Sequence, residues 1–176
     1  MNTNLSYSKG LLEYSANNAI PLIYASSASV YGEGKAFIEN SKYESYLNHY
    51  AESKLLFDNY YRENMSKINS QVVGLRYFNV FGKRQDPNGA YAAVIPKWVA
   101  AILNNEDVYI NGDGETSRDF CYIDNAVQSN ILAAMTENNA AVDQVYNVAL
   151  NDRTSLNELH RMIEDKILQR VHGLEK

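Results

Sequence analysis

A tyrosine and a lysine four residues apart, in the run Tyr50-Ala51-Glu52-Ser53-Lys54, are the residues of this chain best placed to do chemistry. On a helix they share one face, one turn apart. A phenol ordinarily titrates at about pH 10 and is a poor base at neutrality. An ammonium one turn away stabilises the phenolate and turns it into an acid/base for an alcohol. Upstream, the apolar run Leu22-Ile23-Tyr24-Ala25 ends in Ser26-Ser27. A hydroxyl at a strand end can orient the reacting alcohol, so Ser27, Tyr50 and Lys54 together point to proton transfer at a hydroxyl while a neighbouring cofactor takes the hydride. Tyr-x-x-x-Lys alone is a weak signal, because such a pair often forms a solvated helix face; the upstream serine pair gives it weight.

Three other groups could touch a ligand. Asn79 follows the apolar strand 71–77 and reads either as a ligand's hydrogen-bonding partner or as the start of a turn at Gly82. Arg118 offers the planar fork that suits a phosphate, against the plainer reading of a surface salt bridge with Asp119 or Asp113. Tyr109 could stack on a base, although a tyrosine alternating along a strand more often packs. His49, His160 and His172 lack metal-ligand spacing and read as structural or solvated, and Trp98 reads as core. No metal-ligand, phosphate-loop or nucleophile-elbow motif occurs.

The elements that must position these groups alternate. Residues 4–18 read as a helix with Leu5, Leu11, Leu12 and Ala16 on one stripe. Residues 21–26 and 71–77 read as buried parallel strands. Residues 50–65 form a second helix, reached through a long loop over 27–48. A helix is expected over 92–104 with Pro96 marking a kink or late start. Short strands are expected at 108–110 and 117–123 about the turn 111–114. A helix over 124–136 would be capped by Asp124, and 145–149 is a further strand. Thr154 or Ser155 opens the last helix, with Glu158 placed as in a capping box. Strands alternating with helices indicate an α/β fold with a mostly parallel sheet, which binds its ligand at the carboxyl ends of the strands.

The 176 residues suffice for a sizeable core. A net charge of −5 speaks against nucleic acid as a partner. Cys121 is the single cysteine, so no intrachain disulfide can form, which suits a reducing compartment. The apolar runs fall short of a membrane span and the first residues lack a signal-peptide core, so the expectation is a cytoplasmic protein with no membrane partner.

The ordered set SSASVYG, YAESK, LRYFNVFGKRQDPNGAYAAVIPKW, YINGDGETSRDFCYIDN and YNVALNDRTSLNEL resembles the extended short-chain dehydrogenase/reductases that act on nucleotide sugars. From about Gly74 to Leu159 the chain is similar to bacterial UDP-N-acetylglucosamine 4-epimerases of polysaccharide biosynthesis, including O-antigen assembly. The earlier part is similar to ADP-heptose 6-epimerases. The resemblance implies part of a doubly wound Rossmann-like sheet, the second half of an NAD-binding domain over 1–82, with part of a smaller nucleotide-sugar domain and the last sheet strand over 83–176. It implies Ser27 on the reacting hydroxyl, Tyr50 as acid/base, and Lys54 tuning Tyr50 and holding the nicotinamide ribose. Tyr77 and Phe78 would lie near NAD. Asn79, Ala93, Tyr109, Asn111, Arg118 and Arg153 would surround a UDP-sugar, with Arg118 on the diphosphate and Tyr109 beside the uracil. Ala28-Ser29 stands where nucleotide-sugar dehydratases carry an acidic pair, which disfavours 4,6-dehydration.

Members of the family begin with a strand and a glycine-rich turn on the pyrophosphate. No such turn precedes Ser26 here; Gly10 is the only glycine before it. The expectation is therefore a chain truncated at both ends, lacking roughly the first hundred residues of such a protein, and non-catalytic on its own. The apolar edge of the strand 21–26 would be left open, and the resemblance implies a homodimer through the helices 4–18 and 50–65, with Leu55, Phe57, Tyr60 and Tyr61 as candidate contacts.

Overall fold

A computed structural model describes residues 2–34, 36–89 and 92–174. The chain divides into two compact units, Met1–Phe78 with Asp124–Val148, and Asn79–Ile123 with Ala149–Lys176.

The first unit is built on a parallel three-stranded sheet. Strands β1 (Leu22–Ser27), β2 (Val72–Tyr77) and β4 (Gln144–Val148) lie in the order β1-β2-β4. Leu22 pairs with Val72 and Ser27 with Tyr77 across β1 and β2; Val73 pairs with Gln144 and Tyr77 with Val148 across β2 and β4. β2 is the central strand, buried from Val72 through Arg76. The helices α1 (Asn2–Asn18) and α2 (His49–Asn64) cover the sheet through a core of Leu12, Tyr24, Phe57, Tyr61 and Val72. Burying such side chains contributes about 1.5–3 kcal/mol each. Tyr24 lies across Gly74, where a Cβ would stand 2.6 Å from the phenol ring, so only glycine lets the ring settle. α2 starts where the Asn48 side chain accepts the Ala51 N–H at 2.9 Å, an N-cap that fixes the entry of Tyr50. The helix α4 (Ile123–Met135) completes this unit.

Several expectations change here. Leu11, expected on the buried stripe of α1, is 41% exposed, while Leu12 is buried. Leu55, Phe57 and Tyr61 are buried in this unit's own core, so they are not available as dimer contacts; Tyr60 is half-buried beneath the Lys9 ammonium. The segment 27–48 is not a plain loop. It holds two 3-10 turns, Ala28–Val30 and Ser41–Tyr43, and Tyr31 bridges to Ser45.

The second unit contains α3 (Val94–Leu103), the two-stranded antiparallel pair β3 (Ser117–Arg118) and β5 (Thr154–Ser155), and α5 (Leu156–Leu174). Trp98, Leu159 and Ile163 form its core. Pro96 falls in the first turn of α3, where its missing N–H costs nothing, so it marks a late start and no kink. The expected strand 108–110 does not form: Val108 and Ile110 pack on the Trp98 cluster instead. Of the strand expected over 117–123, only β3 pairs; Tyr122 makes an isolated bridge to Phe81. Asp124 lies inside the first turn of α4 and is not its cap, a position where its charge still favours the helix dipole. Ser155 does cap α5, its hydroxyl accepting the Glu158 N–H at 3.2 Å. No helix among the described residues is long and apolar enough to cross a membrane.

Candidate functional site

In the first unit Ser27 ends β1, and Tyr50 and Lys54 lie in the first two turns of α2. Tyr50 is 51% exposed. The Lys54 ammonium lies 5.8 Å from the centre of its ring and donates to the Ala25 carbonyl at 2.7 Å. Within about 6 Å of a ring centroid a cation is attracted by the ring face. Burial lowers the Lys54 pKa from the ordinary lysine value, and the Asp58 carboxylate one turn further along α2 opposes that shift without cancelling it. Ser27 closes β1 and caps the following 3-10 turn. Its hydroxyl oxygen accepts the Ser29 N–H at 3.2 Å and the Ser29 hydroxyl at 2.9 Å, which leaves the Ser27 proton free to be donated.

Tyr77 and Phe78 follow at the end of β2. The Tyr77 hydroxyl accepts from Asn130 at 2.7 Å, and burial, eased by that hydrogen bond, raises its pKa. The Phe78 ring is 6% exposed and packs against Tyr31 and Phe37 at centroid distances of 6.3 and 5.4 Å.

Beneath the Tyr50–Lys54 turn lies a polar cluster that the sequence reading did not single out. Asp58 and Arg76 are fully buried. Asp58 Oδ2 accepts from Arg76 Nη2 at 2.7 Å, from Arg76 Nε at 3.2 Å and from the Ser26 hydroxyl at 3.0 Å. Arg76 also reaches Glu44 at 2.6 Å and the Tyr31 hydroxyl at 3.0 Å. Arg62 grips Glu44 with two bonds of 2.6 Å. Burial alone pushes the Glu44 carboxyl up, but the two guanidiniums outweigh it and hold it below its ordinary value. Burial likewise opposes the charge on Arg76, and Asp58 overcomes it. A signal was present in the sequence: an arginine near the end of an otherwise apolar strand must be paired when buried.

The second unit holds the remaining expected residues. Arg118 and Arg153 are brought to the same place by the β3–β5 pairing, Arg118 opposite Thr154. Both use Ser117: Arg153 Nε donates to its hydroxyl at 3.1 Å and Arg118 Nη1 to its carbonyl at 2.9 Å. Neither has a carboxylate in ion-pair range among the described residues, and the expected partners are occupied elsewhere. Asp119 accepts the Leu150 and Asp152 N–H groups, and Asp113 accepts the Glu115 N–H. Asn79 donates to the Asp119 carbonyl at 2.9 Å and is exposed. Tyr109 is 81% exposed, so its ring does not pack as a strand tyrosine would. Ala93 is the exposed residue at the start of α3, and Asn111 is exposed in the turn with Gly112 and Gly114, both at positive φ. His49 pairs with Glu52 and His160 with Glu164; the side chain of His172 lies outside the described residues.

Set against known proteins, residues 1–149 match the family described as "NAD dependent epimerase/dehydratase family". The chain is similar to ADP-L-glycero-D-manno-heptose-6-epimerase of Alkalilimnicola ehrlichii, 34% identical over 171 residues that make up 94% of this chain and 52% of that protein. Its structure is similar to UDP-N-acetylglucosamine 4-epimerase from Methanobrevibacter ruminantium M1 in complex with UDP-N-acetylmuramic acid. The TM-score there is 0.85 at 40% identity, over 93% of this chain and 52% of that one. It is also similar to UDP-glucose 4-epimerase from Thermotoga maritima with UDP-glucose, with a TM-score of 0.83 at 28% identity over 99% of this chain and 55% of that one. The chain spans about half the length of the relatives it matches. The parallel sheet with its covering helices is part of a Rossmann-like epimerase fold, as the strand–helix alternation had led us to expect.

Proposed function

The chain belongs to the NAD dependent epimerase/dehydratase family, and from that premise we propose that it serves NAD-dependent epimerisation at a carbon of a nucleotide sugar, with UDP-N-acetylglucosamine and UDP-N-acetylgalactosamine as the substrate pair, in surface polysaccharide synthesis. The observation that carries this reading is the Lys54 ammonium held on the Ala25 carbonyl within reach of the exposed Tyr50 ring. The 40% identity to a UDP-N-acetylglucosamine 4-epimerase favours that sugar over ADP-heptose.

Tyr50 takes the proton from the sugar hydroxyl and later returns it. Lys54 supplies the positive charge that stabilises the phenolate. Ser27, whose proton is free, donates to the reacting oxygen and holds it beside the phenol. An exposed phenol and a half-buried ammonium at the carboxyl end of a parallel strand suit a nicotinamide riboside, which Tyr50 and Lys54 would hold. NAD, when bound, supplies reversible hydride acceptance at the sugar carbon. Arg118 and Arg153, without a carboxylate in ion-pair range among the described residues, suit a diphosphate, and the exposed Tyr109 ring suits a uracil face. Asn79, Asn111 and Ala93 offer further polar groups to the nucleotide.

A second reading, that these 176 residues alone are non-catalytic, is favoured by one sequence observation: Gly10 is the only glycine ahead of Ser26, so no phosphate-gripping turn stands there. Titrating the purified chain with NAD, then with UDP-N-acetylglucosamine and with ADP-heptose, separates the readings. Turnover of the UDP-sugar that disappears in Tyr50→Phe, by about a hundredfold or more, with UDP binding kept, supports the first. Silence with all ligands supports the second, and turnover of ADP-heptose alone replaces the substrate.

A further inference from the structure

The buried cluster below the Tyr50–Lys54 turn has no place in the chemistry so far. Charged side chains are rarely fully buried, and a buried ion pair is often no more stabilising than apolar residues of the same volume. Its geometry shows another use. Asp58 stands one helical turn beyond Lys54, as Lys54 stands one turn beyond Tyr50, so the three share a face of α2. The Asp58 carboxylate reaches across to β1 through the Ser26 hydroxyl and to β2 through Arg76. Ser26 is the immediate neighbour both of Ala25, whose carbonyl holds the Lys54 ammonium, and of Ser27. One carboxylate therefore ties the helix bearing the phenol and the ammonium to the strand end bearing the hydroxyl. Its other oxygen has no donor among the described residues: the buried Tyr24 hydroxyl faces this carboxylate without reaching hydrogen-bond geometry.

We propose that Asp58 is a positioning residue for the Tyr50–Lys54 pair, its buried carboxylate fixing α2 against the end of β1 so that the Lys54 ammonium stays charged and seated on the Ala25 carbonyl. The proposal rests on the reading of Tyr50 and Lys54 as the proton-handling pair. The groups facing Lys54 are Tyr50 and Asp58 from its own helix and the Ala25 carbonyl from β1. Beyond Asp58 stand Arg76 of β2, Tyr24 of β1, Arg62 of α2 and Glu44. Asp58 is the facing carboxylate that raises the Lys54 pKa against the effect of burial.

The test is a nuclear magnetic resonance titration of the Lys54 ammonium in this chain, with Lys54→Met assigning the signal. Asp58→Asn is expected to lower the midpoint by about one pH unit, a tenfold change in the ratio of charged to neutral lysine. The paired substitution Asp58→Leu with Arg76→Met removes both charges, keeps the volume apolar and guards against a fold lost to an unpaired arginine; it is expected to lower the midpoint as well. A folded variant of either kind with an unmoved midpoint overturns the proposal. Loss of the fold in both also overturns it, because the pair would then serve folding and not Lys54. The titration needs neither cofactor nor sugar, so a shifted midpoint in a chain that epimerises nothing sinks the functional reading alone. An unmoved midpoint in a chain that turns over sinks the positioning role alone.

Discussion

Arginine is used in opposite ways in the two units. In the first, Arg76 is fully buried and satisfied by Asp58, Glu44 and the Tyr31 hydroxyl. In the second, Arg118 and Arg153 are exposed, meet only at Ser117 and have no carboxylate in ion-pair range among the described residues. A guanidinium whose donors are spent inside the protein holds elements together. One whose donors are left to solvent keeps them for an anion. The nearby acids confirm the difference: Glu44 is shared by two arginines, whereas Asp119, next to Arg118 in sequence, is turned to backbone N–H groups.

The largest expected effect breaks the first half of this comparison. Arg76→Ala leaves Asp58 buried without its partner and should destabilise the chain by about 3–5 kcal/mol in urea unfolding. If the loss is small, water must reach Asp58 and the cluster is not the tie described above. Glu44→Gln comes next, at about 2 kcal/mol, from the loss of charge-assisted bonds to two arginines. The native Glu44 carboxyl sits below its ordinary value of about 4.5. Its contribution is therefore present above that pH and lost as pH falls through the depressed native value. Stability measured from neutrality down through that range should fall less steeply in Glu44→Gln, and parallel curves would show that Glu44 does not carry the acid response.

Two smaller effects sharpen the second half. Gly114 has φ +76° and lies where a Cβ would run into the Asn157 side chain, which binds the Asp113 carbonyl and the Glu115 carboxylate. Gly114→Ala should cost about 1–3 kcal/mol and disturb the turn carrying Asn111. Arg118→Ala should change stability by less than about 0.5 kcal/mol while weakening UDP binding about tenfold, the loss of a charge-assisted hydrogen bond. Calorimetry reads both numbers; unchanged UDP affinity removes Arg118 from the nucleotide site.

Much of the architecture was legible because local patterns are self-sufficient. Ser155 ahead of α5 and the apolar runs of β1 and β2 each announce their element within a few residues. The failures share a cause. Residues 108–110 alternate like a strand, yet a strand needs a partner, and Val108 and Ile110 find a core instead. Leu55, Phe57 and Tyr61 were expected at a dimer surface because the resemblance implied paired helices there, yet in this chain they fill its own core.

The same division holds for the candidate site. Spacing alone put Tyr50 and Lys54 on one face, since that follows from helix geometry, whereas residue type left Arg118 between a phosphate ligand and a surface salt bridge, and only the resemblance favoured the diphosphate. That Arg118 escapes its acidic neighbour, that Arg153 joins it, and that Asp58 reaches Ser26 and Arg76 depended on pairings between segments far apart in sequence. Burial and partner choice are properties of the folded chain, and only the tertiary structure decides which charges neutralise one another and which stay free.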